Sequence, residues 1–214
     1  MPRTQGSRSD LTGPRVRAAA LRLFARHGYA AVSMRQIAGE VGVQAGALYS
    51  YTPDKQSLLF SLMQGHMEEL LAATAALQAS GPPEARLEAF TRHHIRFHVE
   101  RRHSTHVNNM ELRSLSREKL SHVLRLRSTY EKELRQILRE GQETGSLIVD
   151  DPALTAMAII QMITGVIVWF RPDERLSVDE VAEKYLSMTM RLVGADDKPR
   201  EKTGVHAIDE FRAW

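Results

Sequence analysis

The 214-residue sequence contains no cysteine. Disulfides, thiolate catalysis and cysteine-based zinc sites are therefore excluded, although this alone does not fix the compartment. A long apolar run is also missing. The most apolar stretch, residues 156–170, falls short of the ~20 residues that a bilayer-crossing helix needs, and Gln161 and Thr164 interrupt it. No apolar core follows the polar, arginine-bearing residues 1–13, so no secretory leader is expected. These absences favour a soluble cytoplasmic protein with no membrane partner. Familiar catalytic signatures are lacking as well: there is no nucleophile elbow, phosphate loop, dinucleotide fingerprint or carboxylate–histidine metal set. No catalytic residue and no cofactor are expected, and the chain does not read as an enzyme. Histidines do cluster at 93, 94, 98, 103 and 106, with His94 and His98 at the i, i+4 spacing of helical zinc sites. No HExxH accompanies them, so they read as structural or solvated groups and no metal is expected.

What is present is ample hydrophobic material, 43% of the chain, enough for a folded core. Charge is unevenly spread. Residues 1–57 hold eight lysines and arginines against three acids, a net of +5, whereas the other 157 residues hold 21 against 23, a net of −2. A basic head on a near-neutral body suits an anionic partner such as DNA. A merely solvated basic face would look the same by charge alone.

Helical spacing recurs along the whole chain, which predicts an all-α fold. Residues 1–12 read as a flexible arm. The first helix is expected from about Pro14, burying Val16, Ala19, Ala20, Leu23 and Phe24, and ending at Gly28. Ser33 and Gln36 form a capping box for a short helix, Met34 to Val41. A second short helix is expected over 44–51. Thr52 then reads as the cap of a long helix reaching about Leu77. Ser80-Gly81-Pro82-Pro83 is the clearest break. Beyond it, helices are expected over 84–102, 105–115, 117–142, 153–170 and 178–193. The organisation expected is a three-helix head over 1–55, a larger helical domain over 56–194 and a tail over 195–214.

Residues 33–51 satisfy the demands of a helix-turn-helix. Ala38 is small enough for close helix contact, and Gly42 stands in the turn, where a positive φ costs little. Ile37, Val41, Val43 and Leu48 are spaced to share a core. Gln44, Ala45, Gly46, Ala47, Tyr49, Ser50 and Tyr51 are left to face outward.

The stretch Ala20-Leu-Arg-Leu-Phe24, Gly28-Tyr29, Ser33-Met-Arg-Gln-Ile37-Ala38, Val41-Gly42-Val43 and Leu48-Tyr49-Ser-Tyr51 with Lys55 resembles the N-terminal signature of the TetR family of repressors. It departs at Thr52, where that family usually has an aromatic residue. The resemblance implies that Tyr49, Tyr51 and Lys55, with Ser33, Arg35 and Ser50 beside them, hold the DNA backbone. Such contacts set register without reading sequence. Gln44, Ala45 and Ala47 are the candidates to touch base edges, glutamine pairing with adenine and alanine meeting thymine methyls. Arg3, Arg8 or Arg15 could reach a neighbouring groove, or could be simply solvated.

In TetR-like proteins the last two helices pair across a two-fold axis. Here those are 153–170 and 178–193, and the first is apolar almost all round, so it must be buried in the subunit, in a homodimer, or in both. The helices between would enclose a small-molecule effector. His94 and Arg127 interrupt otherwise apolar stripes, and a polar group on an inward face needs a partner. Each is a candidate ligand contact. The alternative is internal pairing, for instance Arg127 with Glu111 or a backbone carbonyl. Phe97, Met110, Tyr130, Met162 and Trp169 are further candidates for an apolar pocket, or else ordinary core. The run Trp169-Phe-Arg-Pro172, followed by Leu176-Ser177, resembles a subset of TetR-type regulators that sense acyl-CoA thioesters. The function implied is a ligand-responsive repressor that binds double-stranded operator DNA as a two-fold dimer and is released by a small hydrophobic or acyl-CoA-like effector. A helical enzyme or an adaptor that ignores DNA are the alternatives.

Overall fold

The computed structural model describes residues 6–77 and 81–195, with side chains from residue 12 onward. Among these residues the fold is helical, with no strand. The helices are α1 (Gly6–His27), α2 (Met34–Val41), α3 (Lys55–Ala76), α4 (Pro83–Glu100), α5 (Arg102–Met110), α6 (Arg117–Thr144), α7 (Pro152–Thr164), α8 (Val166–Trp169) and α9 (Val178–Leu192). Two 3₁₀ segments, Ala45–Ser50 and Leu112–Ser114, complete the set.

The apolar stripe of α1 is buried at Val16, Ala19, Ala20 and Phe24. The helix starts at Gly6, however, and Pro14 lies inside it. An interior proline removes one backbone bond and strains the turn before it, at a cost of about 3 kcal/mol, but it does not forbid further turns upstream. The arm is therefore helical from Gly6. Arg3 lies outside the described residues, as does the side chain of Arg8 and the tail over 196–214. Arg15 is exposed on α1. Its guanidinium donates to the Val41 carbonyl at 2.9 Å, filling one of the acceptors that the end of α2 leaves open.

The capping box of α2 forms as read, with Gln36 N donating to Ser33 Oγ at 3.2 Å and Ser33 N donating to the Gln36 side chain at 2.7 Å. The cap of α3 is Asp54 rather than Thr52: its carboxylate accepts from Ser57 N at 2.6 Å. A carboxylate caps as well as a hydroxyl and also complements the positive end of the helix dipole. Thr52 is buried, and its hydroxyl donates to the Asp54 carbonyl at 3.0 Å.

Helix α3 buries Leu58, Leu59, Leu62, Met63, Met67 and Leu70 and leads from the head into the larger part of the fold. It packs on α1, α5 and α6. There α4 lies against α6, α7, α8 and α9. Arg96–Asp179 at 2.9 Å and an Arg92–Glu183 pair tie α4 to α9. Asp151 caps α7, accepting from Ala153 N and Leu154 N at 2.9 and 3.0 Å. Ser177 and Glu180 form the expected capping box of α9.

The helix expected over 153–170 is broken at Gly165 into α7 and α8. Pro152–Trp169 has a mean hydropathy of 1.8, and by length and composition it could cross a membrane. Here it packs on α4 and α6, yet only 28% of it is buried within this subunit.

Candidate nucleic-acid interface and inner cavity

The turn after α2 is made by Gly42, at φ +78°. Its N–H donates to the Ala38 carbonyl at 2.9 Å, and Val43 N donates to the same oxygen at 3.0 Å. A side chain at Gly42 would be strained in this left-handed conformation. The chain then enters a 3₁₀ turn rather than an α-helix. With three residues per turn, side chains at i and i+3 eclipse. Ala45, Leu48 and Tyr51 thus form one row, and it is the inward one: Leu48 is fully buried and the other two are half-buried. Tyr51 lies beside Gly13 of α1. The outward rows are Gln44, Ala47 and Ser50, and Gly46 with Tyr49. Tyr49 is 58% exposed. Ser50 Oγ donates to the Ala47 carbonyl at 2.7 Å. Ser33 and Arg35, at the start of α2, are exposed as well.

Lys55 is more committed than its sequence role suggested. Its ammonium donates to the carbonyls of Tyr29 (3.0 Å) and Val32 (2.7 Å) and sits 4.2 Å from the Tyr29 ring centroid. One of its three donors remains for another partner.

Two adjoining cavities lie behind the head. An open groove of about 980 Å³ runs between α1, α5 and α8. Arg22, Arg26, Arg102 and Arg127 line it against one carboxylate, Glu40, which is paired with Arg22 at 3.1 Å. Burial and the charge of Arg171 lower the pKa of Arg102. An inner chamber of about 170 Å³ lies between α3, α4, α5, α6 and α7. Asn109, Arg127, Gln161 and Thr164 line both.

The chamber has a polar wall. His94 shares hydrogen bonds of 2.8 Å with the Tyr130 hydroxyl and with Thr164 Oγ1. His98 stacks on His94 at 3.9 Å between centroids, and His98 Nδ1 donates to the His94 carbonyl at 2.8 Å. His66 of α3 meets His98 edge-on at 5.7 Å. Burial is the main cause that holds all three rings neutral. It lowers His66 to about 3 and His98 to about 4, and it takes His94 well below 6.5. Burial likewise raises the Tyr130 phenol and lowers the Arg127 guanidinium.

Arg127 is satisfied internally in part. Its Nη2 donates to the Asn108 carbonyl (2.5 Å) and to Asn109 Oδ1 (3.2 Å). The pairing with Glu111 does not occur. Glu111 instead accepts from Tyr29 N (2.9 Å) and Ser114 Oγ (2.6 Å), tying α5 to the end of α1.

Two family models cover most of the chain. "Bacterial regulatory proteins, tetR family" matches residues 16–62, and "Tetracyclin repressor-like, C-terminal domain" matches residues 80–193. The chain belongs to the TetR family. It is a DNA-binding transcriptional regulator, of a kind whose members are generally not enzymes. The HTH-type transcriptional repressor KstR2 of Rhodococcus jostii is 27% identical over 172 residues, which cover 78% of this chain and 84% of that one. A tetR-family regulatory protein from Rhodococcus RHA1 superposes with a TM-score of 0.82 at 29% identity, over 87% of this chain and 98% of its own. AibR, solved with isovaleryl coenzyme A and operator DNA, superposes with a TM-score of 0.74 at 25% identity, over 83% and 97%.

For a TetR regulator, the cavity is lined by only part of the set read from sequence. His94, Arg127 and Tyr130 line the chamber, and Met110, 58% exposed, lines the groove. Phe97, Met162 and Trp169 line neither. Phe97 is buried against His66 and His98. Met162 packs into the core. Trp169 is 42% exposed, and its ring stacks on Tyr185 of α9. Sequence reasoning missed His66, Asn108, Gln161 and Thr164. For His66 a signal existed: it falls in the apolar row of Leu62 and Leu70, as His94 does in its own. Gln161 and Thr164 stand out in the same way, as polar breaks in the apolar stretch 156–170, whereas Asn108 sits in polar surroundings that carry no comparable contrast.

Proposed function

We propose that this TetR regulator is a repressor whose effector is an acyl-CoA thioester. The acyl group occupies the inner chamber, and the phosphates of the coenzyme lie along the cationic groove. The observation that carries this is the adjoining pair of cavities, one small and walled by buried histidines, the other large and lined by four arginines around a single, already paired carboxylate. Charge-assisted bonds from guanidinium to phosphate are strong and geometrically selective. The structural relative that holds isovaleryl coenzyme A together with operator DNA supports the same reading.

On the DNA side, Tyr49, Ser50, Ser33 and Arg35 hold phosphates, while Gln44 and Ala47, on the outward row, meet base edges. Tyr51 and Ala45 support the reading segment from its buried side, while Lys55 closes the turn between α1 and α2 and retains one donor for a phosphate. Two copies present two such segments. The exposed apolar side chains Leu154, Met157, Val168, Trp169, Met188 and Leu192 of α7, α8 and α9 supply the surface for that pairing. A repressor of this kind works in the cytoplasm, on the chromosome. The divisions proposed are a head over 1–55 and an effector and dimerisation body over 56–194.

The test is a band shift with promoter DNA from the protein's own gene, with and without coenzyme A thioesters. Salt-sensitive binding that a thioester relieves is the expected result. Binding that no thioester changes would remove the effector assignment and leave the DNA assignment standing.

A further inference from the structure

The polarity of the inner chamber points to the kind of acyl group it takes. Three buried polar atoms of residues that line it have no partner: His66 Nδ1, Asn108 Oδ1 and Arg127 Nε. They come from three different helices, α3, α5 and α6. Their residues are well covered; His66 is 4% and Asn108 2% exposed. Unpaired buried polar atoms are uncommon and costly, so three on one small cavity mark a place for a polar partner.

The hydrogen-bond inventory makes that partner more specific. His98 Nδ1 donates to a carbonyl, so the neutral ring must offer Nε2 as an acceptor. Asn108 Nδ2 donates to the Ser104 carbonyl at 3.1 Å, which leaves Oδ1 as an acceptor. Both ring nitrogens of His94 are already engaged. The residues that line the chamber therefore include at least two acceptors, His98 Nε2 and Asn108 Oδ1, alongside one donor at Arg127 Nε. A saturated alkyl group satisfies none of these. The thioester carbonyl, an acceptor, can serve Arg127 but not Asn108. A carboxylate, acceptor only, would face Asn108 Oδ1 without a proton to share. A hydroxyl can donate to Asn108 Oδ1 or His98 Nε2 and accept in return.

We propose that the effector is a hydroxyacyl thioester, its hydroxyl bound by Asn108 and the His66–His98 pair. The chamber's volume is that of about six waters, so the acyl group is short. This rests on the acyl-CoA reading given above.

Titration calorimetry on the full-length protein at neutral pH would compare coenzyme A, butyryl-CoA, 3-hydroxybutyryl-CoA and succinyl-CoA. The hydroxyacyl thioester is expected to bind about tenfold more tightly than butyryl-CoA, and succinyl-CoA no more tightly than butyryl-CoA. In Asn108→Leu, which keeps volume and removes the acceptor, that preference should vanish while butyryl-CoA binding persists. The wild-type series decides the matter even if the variant does not fold. Butyryl-CoA binding as tightly as its hydroxy analogue, or succinyl-CoA binding most tightly, overturns the hydroxyl assignment and leaves the acyl-CoA assignment intact. No binding of any probe, coenzyme A included, overturns both.

Discussion

Lys55 uses two of its three donors to close the turn between α1 and α2, and its charge rests on the Tyr29 ring. Replacing it with methionine keeps the stem but leaves two carbonyls short of a partner, at about 1–3 kcal/mol in all. Lys55→Met should therefore lower the urea midpoint of unfolding as well as weaken operator binding. A variant that lost DNA affinity with an unchanged midpoint would mean that the lysine serves only the phosphate. Arg35 is the contrast, being exposed at the start of α2. Arg35→Ala should leave stability within about 0.5 kcal/mol and weaken binding to all sequences alike. It should also flatten the slope of log affinity against log salt by roughly one. Gln44→Ala should act otherwise, relaxing preference at one base pair by about 1–3 kcal/mol. Equal losses on cognate and altered operators would remove Gln44 from base readout. The sequence made all of these residues visible as candidates. It could not separate Lys55 from Arg35, because both are cations within one motif, and only the carbonyls brought together by the turn distinguish them.

At the scale of the element, the reading segment is the instructive case. Periodicity placed a short helix here and left seven residues facing outward. A 3₁₀ turn redistributes them, and Ala45 and Tyr51 fall in line with Leu48. Period and polarity cannot distinguish 3.6 from 3.0 residues per turn over six residues, so the helix was legible but its face was not. The end of α6 shows the same limit. Gly141 and Gly145 both read as closing this helix; Gly145 caps it, whereas Gly141 is buried inside it. Its reason lies in packing: a Cβ there would approach within 2.3–2.9 Å of the Leu147 side chain. Leu147 is buried, and beside it Ile148 N donates to the Val193 carbonyl at 2.8 Å, pinning the end of α9. Gly141→Ala would gain up to about 1 kcal/mol of helix propensity. Overpacking against a side chain with no free direction costs about 1–3 kcal/mol. The second effect wins, and the variant should melt at a lower temperature than the wild type. A higher melting temperature would show that Leu147 moves aside at little cost.

For the whole molecule, the buried histidines set how stability depends on pH. His66, His94 and His98 meet across α3 and α4, and burial holds each ring neutral, at about 3, well below 6.5, and about 4 respectively. In the unfolded chain each titrates near 6.5. Above that pH neither state binds these protons and no slope arises. As pH falls below 6.5, the unfolded chain takes up three protons that the folded chain refuses. Stability then falls by about 1.4 kcal/mol per histidine per pH unit, or about 4 kcal/mol together. Carboxylates with lowered pKa values, Asp54 among them, start from ordinary values of 4.5 or less and so act in a more acidic window. A domain with a total stability of about 5–15 kcal/mol cannot sustain such a slope for long. The urea midpoint should hold between pH 8 and 7, then drop steeply toward pH 5. In His66→Phe, which lies against Phe97 and has no hydrogen bond to lose, the slope should decrease by about one proton. A midpoint that stays level from pH 7 to 5 would mean that the histidines take up protons in the folded state, and that the chamber is wetter and more charged than its packing implies.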